Sequence, residues 1–241
     1  MKQFLDFTII RILRYIQYIL SPYNQSYKTN LYAILREKSM QDASIYVQQY
    51  VSEACVFEEK MGIWNYTINK IKESVHGDKC LEFGVWKGES INYFSKHLKN
   101  EKFYGFDSFF GLAEDWSGQS YGKGSFNLNG KIPRTNKNVK LISGFYDKSI
   151  EPFVKNELKD THLKFIHIDS DTYEAAKTIF EKLKKNIYPG TLILFDDYFG
   201  YLDWRNGEYK ALNEFCENNK LTYKYLAFCN DQALVQMIDK Y

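Results

Sequence analysis

The run Cys80-Leu81-Glu82-Phe83-Gly84-Val85-Trp86-Lys87-Gly88-Glu89-Ser90 dictates three things in succession: a buried strand, a Gly-x-x-x-Gly turn and the opening of a helix. A second apolar strand, Lys102-Phe103-Tyr104-Gly105-Phe106, closes on an acid, Asp107, 23 residues beyond Gly84. This is the layout of a nucleotide site in a doubly wound α/β fold. Glycines let backbone approach a ligand, the helix N-terminus offers free N–H groups, and the acid takes ribose hydroxyls. The pattern is not the dinucleotide fingerprint, because no third glycine follows at the required place. Glu82 also sits just before the first glycine, where a pyrophosphate would be repelled. A cationic or zwitterionic cofactor such as S-adenosylmethionine suits that acid better. The candidate cofactor residues are Glu82, Gly84, Val85, Trp86, Gly88 and Ser90 on the first unit, with Asp107 and Ser108 after the second strand.

From residue 79 onward strand and helix patterns alternate, as a parallel sheet requires. Strands are expected at 79–84, 102–106, 139–143, 164–168, 190–195, 221–228 and 232–238, and helices at 88–98, 148–158, 172–186 and 207–219. The last two strands, joined by Cys229-Asn230-Asp231, read as an antiparallel hairpin. The fold class is therefore α/β: a doubly wound, Rossmann-like, mostly parallel seven-stranded sheet with a C-terminal antiparallel hairpin, preceded by an N-terminal helical segment. By analogy this is the arrangement of class I methyltransferases. Residues 1–76 are expected to form the helical segment or cap, helical over 28–76, and residues 77–241 the main domain. The connection 108–137 is far longer than the roughly 2–6 residues usual in such units, and it carries Trp116, Tyr121 and Phe126. It is expected to be a lid over a ligand.

Within residues 1–20 apolar side chains recur at helical spacing, interrupted by Lys2, Asp6, Arg11 and Arg14. A spanning helix needs about 20 mostly uncharged residues, so this is neither that nor a signal peptide. An interfacial helix in peripheral contact with a membrane, a helix used in homo-oligomer contacts and a helix packed on its own domain all fit the pattern. The formal charge of +2, from 32 basic and 30 acidic side chains, argues against a nucleic-acid partner. The four cysteines, Cys55, Cys80, Cys216 and Cys229, lack metal-ligand spacing. They read as free thiols of a cytoplasmic protein.

Acids end two further strands: Ile166-His167-Ile168-Asp169-Ser170-Asp171 and Leu192-Ile193-Leu194-Phe195-Asp196-Asp197. Ligands of open α/β sheets bind at such carboxyl ends. Asp169, Asp196 and Asp197 should converge, and three carboxylates that converge repel unless a cation neutralises them. Oxygen ligands suit Mg²⁺. Asp171, before Thr172-Tyr173-Glu174, reads mainly as a helix N-cap. His167 alternates with apolar neighbours and reads as a packed residue rather than a base. No serine elbow or P-loop is present.

Taken together, Leu81–Gly88, Gly105-Phe106-Asp107-Ser108-Phe109-Phe110-Gly111-Leu112, Asp169-Ser170-Asp171-Thr172-Tyr173, Phe195-Asp196-Asp197-Tyr198 and Gly207-Glu208-Tyr209-Lys210-Ala211 resemble the TylF/MycF-type (macrocin O-methyltransferase) family of class I S-adenosylmethionine enzymes, over roughly residues 79–216. The resemblance implies that Glu82, Gly84 and Asp107 hold the cofactor, that Gly144 and Phe145 lie near the adenine, and that Asp169, Asp196 and Asp197 are Mg²⁺ ligands. It implies an O-methyltransferase acting on a small-molecule acceptor, a hydroxylated compound such as the sugar of a glycoside or polysaccharide precursor. The family's C-terminal histidine base is missing, since nothing beyond His167 is histidine. Asp169 and Tyr173 are the catalytic candidates, with Tyr198 or a metal-activated oxygen as substitutes. Asp169-Ser170-Asp171 is also a formal Asp-x-Asp motif, which keeps a nucleotide-sugar glycosyltransferase as the alternative. A binding module that has lost turnover is a third reading.

Overall fold

The computed structural model describes residues 30–239. The amphipathic stretch 1–20, with the membrane and oligomer contacts expected of it, lies outside the described residues. Helices α1 (Leu31–Gln48) and α2 (Lys60–Glu73) flank a two-residue strand, β1 (Cys55–Val56). There follow β2 (Lys79–Phe83), α3 (Glu89–His97), β3 (Lys102–Asp107), β4 (Val139–Ser143), α4 (Tyr146–Phe153), β5 (Leu163–Ile168), α5 (Tyr173–Leu183), β6 (Leu192–Phe195), α6 (Glu208–Asn219), β7 (Leu221–Cys229) and β8 (Gln232–Asp239).

The strands form one sheet in the order β1-β7-β8-β6-β5-β2-β3-β4. Strands β6, β5, β2, β3 and β4 run parallel, and β8 is antiparallel to both β6 and β7. Strands β2, β5 and β6 are buried on both faces, which is why they read as near-continuous apolar runs. Leu81, Phe83, Ile166 and Ile168 pack on one face, and Cys80, Phe165, Phe94 and Trp64 on the other. Helix α5 shows the reason such segments are helical. Thr172 caps it, its Oγ accepting from the Ala175 N–H at 3.3 Å, and Ala176, Ile179, Phe180 and Leu183 form one buried stripe.

The doubly wound fold and the C-terminal hairpin are as the sequence implies, but the sheet has an eighth strand. The stretch expected to be helical over 28–76 breaks after α1, and Cys55 and Val56 pair in parallel with Ala227 and Phe228. They cover part of an edge that β7 would otherwise leave bare. Gly62 lies inside α2 with the ring of Phe57 packed on it; an added Cβ would stand 2.7 Å from the ring. Helix α2 is bound into the main core through Ile63, Trp64, Ile68 and Ile71. Helix α1 is tied to the domain by Asp42, which accepts from Arg205 (Nη2 2.9 Å, Nε 3.0 Å) and from Trp204 Nε1 at 3.1 Å. The four cysteines form no disulfide, and three of them are buried. Among the described residues no helix is long and apolar enough to cross a membrane.

The chain order reverses between β2 and β5, which are neighbours in the sheet. A crevice opens at the carboxyl ends of strands at such a point, and here it lies between the turns that follow β2 and β5.

Candidate active site

The turn after β2 is held from several sides. Gly84 has φ +92°, and a Cβ there would stand 1.7 Å from the Asp169 carbonyl oxygen. What approaches this glycine is therefore the backbone after β5. The Gly84 N–H donates to the Phe106 carbonyl at 3.0 Å, and the Asp169 N–H donates to Phe83 at 2.9 Å. Trp86 and Gly88 also take positive φ, 42° and 81°, and Gly88 opens α3. Asp107 closes two loops at once. Its Oδ2 accepts from the Trp86 N–H at 2.7 Å and its Oδ1 from the Phe109 N–H at 2.6 Å.

Glu82 is placed differently from its expected cofactor role. It is fully buried on the α3 side of the sheet, where Oε1 accepts from the Ser90 hydroxyl at 2.9 Å and Oε2 from His167 Nδ1 at 3.0 Å. Both oxygens are engaged inside the protein. The acid holds the start of α3 and the neighbouring strand together beneath the site.

At the ends of β5 and β6, carboxylate oxygens of Asp169, Asp171 and Asp197 lie within 4.8 Å of one another. Asp171 takes the place expected for Asp196. Consecutive residues leaving a strand point to opposite faces, so Asp196 and Asp197 part. Asp196 turns towards the buried His167, with Oδ1 3.8 Å from Nε2, and accepts a short hydrogen bond from Gln232. Asp171 adopts φ +64°, which swings its carboxylate into the cluster and leaves the cap to Thr172.

The charges are frustrated. Burial first, then neighbouring carboxylates, push Asp169 and Asp197 well above the ordinary acid range and Asp171 up to about 7. Glu208, wholly buried, is raised to about 8 by its burial, although its Oε1 accepts from the Ser170 N–H (3.0 Å) and hydroxyl (2.9 Å). Burial would lower the His167 pKa, but the Asp196 and Glu82 carboxylates outweigh it and raise the group to about 9. In return His167 holds Asp196 below its usual value against the effect of burial. Nothing in the local sequence marks Glu208 as part of the site, because its partner Ser170 is 38 residues away.

One cavity of about 600 Å³ joins the two regions. Gly84, Val85, Trp86, Ser90, Asp107, Ser108, Phe145, Asp169, Asp196 and Asp197 line it, as does Asp171. Glu82, Gly88, Gly144 and Tyr173 do not. Gly144 instead donates its N–H to the Asp107 carbonyl at 2.9 Å. Tyr173 points away, donating to Glu214 at 2.6 Å, and that bond leads in raising its pKa to about 12. Tyr198 is buried among tyrosines, its hydroxyl 3.0 Å from that of Tyr225, and burial holds its pKa far above the ordinary value. Neither tyrosine presents a base to the cavity. The long connection after β3 supplies Trp116, Tyr121 and Phe126 to the wall, with Trp116 stacked on Tyr121 at 5.9 Å and Trp86 edge-on to Phe126 at 5.8 Å.

Residues 81–198, from β2 to just beyond β6, match a family described as a methyltransferase domain. No curated protein matches the chain in sequence. Among solved structures the chain is similar to CalS11, a calicheamicin methyltransferase, with a TM-score of 0.58 at 18% identity over 73% of this chain and 79% of that one. Apo CalS11, described as a TDP-rhamnose 3′-O-methyltransferase, gives 0.51 at 17% identity over 72% and 77%. The O-methyltransferase NovP gives 0.55 at 14% identity over 73% and 78%. At such identities the likeness is one of fold. Residues 81–198 are thus similar to a methyltransferase domain, and the chain shares the Rossmann-like α/β fold of these methyltransferase structures.

Proposed function

We propose that the chain is an S-adenosylmethionine-dependent, Mg²⁺-assisted O-methyltransferase of the TylF/MycF type. Its acceptor would be a hydroxylated small molecule, a sugar moiety of a glycoside or polysaccharide precursor. The observation that carries this reading is the single cavity running from the glycine turn and Asp107 to the carboxylates of Asp169, Asp171 and Asp197.

The residues fit both groups. Asp107 spends one lone pair of each oxygen on a backbone N–H and keeps the others for ribose hydroxyls. Val85, Trp86 and Phe145 supply apolar surface beside it. Asp169, Asp171 and Asp197 form an all-oxygen set whose mutual repulsion a hard divalent cation would relieve. When bound, S-adenosylmethionine supplies an electrophilic methyl group and Mg²⁺ a Lewis acid towards the acceptor oxygen. The rest is positioning, because methyl transfer is an in-line displacement. Asp169 stands at the switch point between the two regions, so it is the side chain assigned to receive the hydroxyl proton. The 108–137 connection would act as the lid, and residues 1–76 would shape acceptor choice.

The Asp-x-Asp alternative draws on the meeting of Asp169 and Asp171, which a metal-dependent glycosyltransferase would also use. Calorimetric titration with S-adenosylhomocysteine, with and without Mg²⁺ and beside UDP, separates the two. Tight S-adenosylhomocysteine binding, followed by methyl transfer to a sugar panel, supports the proposal. Mg²⁺-dependent UDP binding with none of S-adenosylhomocysteine would overturn it.

A further inference from the structure

The sheet order divides the cavity. The glycine turn and Asp107 stand on β2 and β3, whereas Asp196 and the β7–β8 hairpin lie beyond β5 on the other side. Helices α1 and α2 supply cavity-lining residues, among them Arg36, Lys60 and Trp64. Arg36 makes one long contact, Nη2 to Asp231 Oδ2 at 3.5 Å. Burial raises the Asp231 pKa, and the charges of Arg36 and Lys60 both pull against it, while Lys60 also helps to hold Asp196 down. They therefore belong to the end of the cavity away from the glycine turn.

Lys60 has no ion-pair partner among the described residues, and its Nζ stands 4.4 Å over the Trp64 ring. It also sits where a lysine is locally unfavourable. It occupies the first turn of α2, which contains no acid, and a cation there opposes the helix dipole. Trp64 is 1% exposed, yet its Nε1–H has no acceptor in the protein. Buried donors are normally paired. Two cations and an orphan N–H thus line the cavity together, beside the carboxylates of Asp196 and Asp231. Such violations of local preference tend to mark functional sites. A sugar hydroxyl could accept from one of these donors, but a group with several anionic oxygens would engage both cations and the N–H at once.

We infer that Arg36, Lys60 and Trp64 bind a phosphate or diphosphate carried by the acceptor, so that the methylated hydroxyl belongs to a phosphorylated sugar rather than a neutral glycoside. The inference rests on the methyltransferase reading and narrows its substrate class. The wall holds the anion at the hairpin end, and the hydroxyl end of the sugar extends towards Asp169.

The test is titration of the full chain, saturated with S-adenosylhomocysteine and kept in EDTA so that no metal bridges the anion to the acids. The probes are inorganic phosphate and pyrophosphate. Pyrophosphate is expected to bind without displacing S-adenosylhomocysteine, and more weakly as salt rises. Lys60→Gln and Arg36→Gln should each weaken it by about tenfold, the loss of one charge-assisted hydrogen bond. Trp64→Phe, which keeps the packing and removes the donor, should weaken it less. Each variant's S-adenosylhomocysteine affinity reports that the fold and the cofactor end are intact. Equal binding of phosphate would point to a monoester, and preference for pyrophosphate to a diphosphate. No pyrophosphate binding, displacement of S-adenosylhomocysteine, or unchanged affinity in both charge variants would overturn the inference and leave the methyltransferase reading standing. If S-adenosylhomocysteine itself does not bind, both fall.

Discussion

The turn after β2 and the acids after β5 and β6 line the same cavity, yet the acids of one are paired with protein donors and those of the other crowd one another. Around the glycine turn each carboxylate oxygen has a protein donor: Asp107 holds two backbone N–H groups, and Glu82 holds Ser90 and His167. At the other end Asp169, Asp171 and Asp197 crowd one another, and their proton affinities rise. Buried charge is tolerated when paired and expensive when not. The first region is therefore complete in the free protein and able to receive a ligand without rearrangement. The second is complete only when something cationic joins it. Preorganisation at one end and stored repulsion at the other are what the proposed methyltransferase requires: a ready cofactor site and an acid cluster that awaits a cation.

The two regions touch at Gly84, and the largest effect is expected there. Gly84→Ala places a Cβ against the Asp169 carbonyl at φ +92°. Overpacking and left-handed strain together should cost about 4 kcal/mol or more. Urea denaturation measures it, and wild-type stability would mean that the two turns are not locked together as described.

The next effect separates neighbours in sequence. Asp197→Ala should lower Mg²⁺-dependent methyl transfer by about a hundredfold or more, the scale of several kcal/mol of lost Lewis-acid assistance. S-adenosylhomocysteine affinity should stay near wild type. The same change should raise the melting temperature of the metal-free protein, because it removes one repelling charge. Asp196→Ala should behave in the opposite way, destabilising the fold by stripping His167 of a partner. If Asp196→Ala abolishes the metal response and Asp197→Ala does not, the cluster has been assigned to the wrong aspartate.

Asp107→Asn tests the donor-paired end. An amide can replace one acceptor oxygen but not both, so either the Trp86 or the Phe109 N–H loses its partner. S-adenosylhomocysteine binding should weaken by roughly 1.5–3 kcal/mol, the scale of a charged hydrogen bond. Unchanged affinity by calorimetry would remove the ribose role.

The same contrast explains what the sequence disclosed. Where a feature depends on local pattern it was readable: β4 spans the expected 139–143, and Gly84 and Asp107 stand together because strand, turn and strand are contiguous units. Where a side chain's fate depends on a partner elsewhere in the chain, it was not. The choice between Asp171 and Asp196 turns on φ +64° at one residue and on His167, 29 residues before the other. Tyr173 is drawn off by Glu214, 41 positions away on α6. Glu82 carries the mark of a cofactor acid in sequence but is claimed by a histidine on the next strand. Strand β1 is two residues long and has no periodicity to detect.

The smallest effect tests the stored repulsion directly, through pH. Asp171 and Glu208 have folded values of about 7 and about 8, above their unfolded values of 3.8 and 4.5. Between those limits the unfolded chain has lost protons that the folded chain keeps, so stability falls as pH rises through the window. His167, raised from 6.5 to about 9, acts in the same direction: its contribution is full below 6.5 and lost as pH climbs through 9. The metal-free protein should therefore melt lower at about pH 8.5 than at about pH 5.5, by on the order of 5 °C for a chain of this size. Mg²⁺ should recover more of that loss at the higher pH, where the acids are ionised, and Glu208→Gln should flatten the profile. Scanning fluorimetry across pH, with and without Mg²⁺, reads all three. A melting temperature that rises with pH, or a Mg²⁺ shift that ignores it, would mean that the cluster is not held in charge frustration and that the two ends of the cavity do not differ in kind.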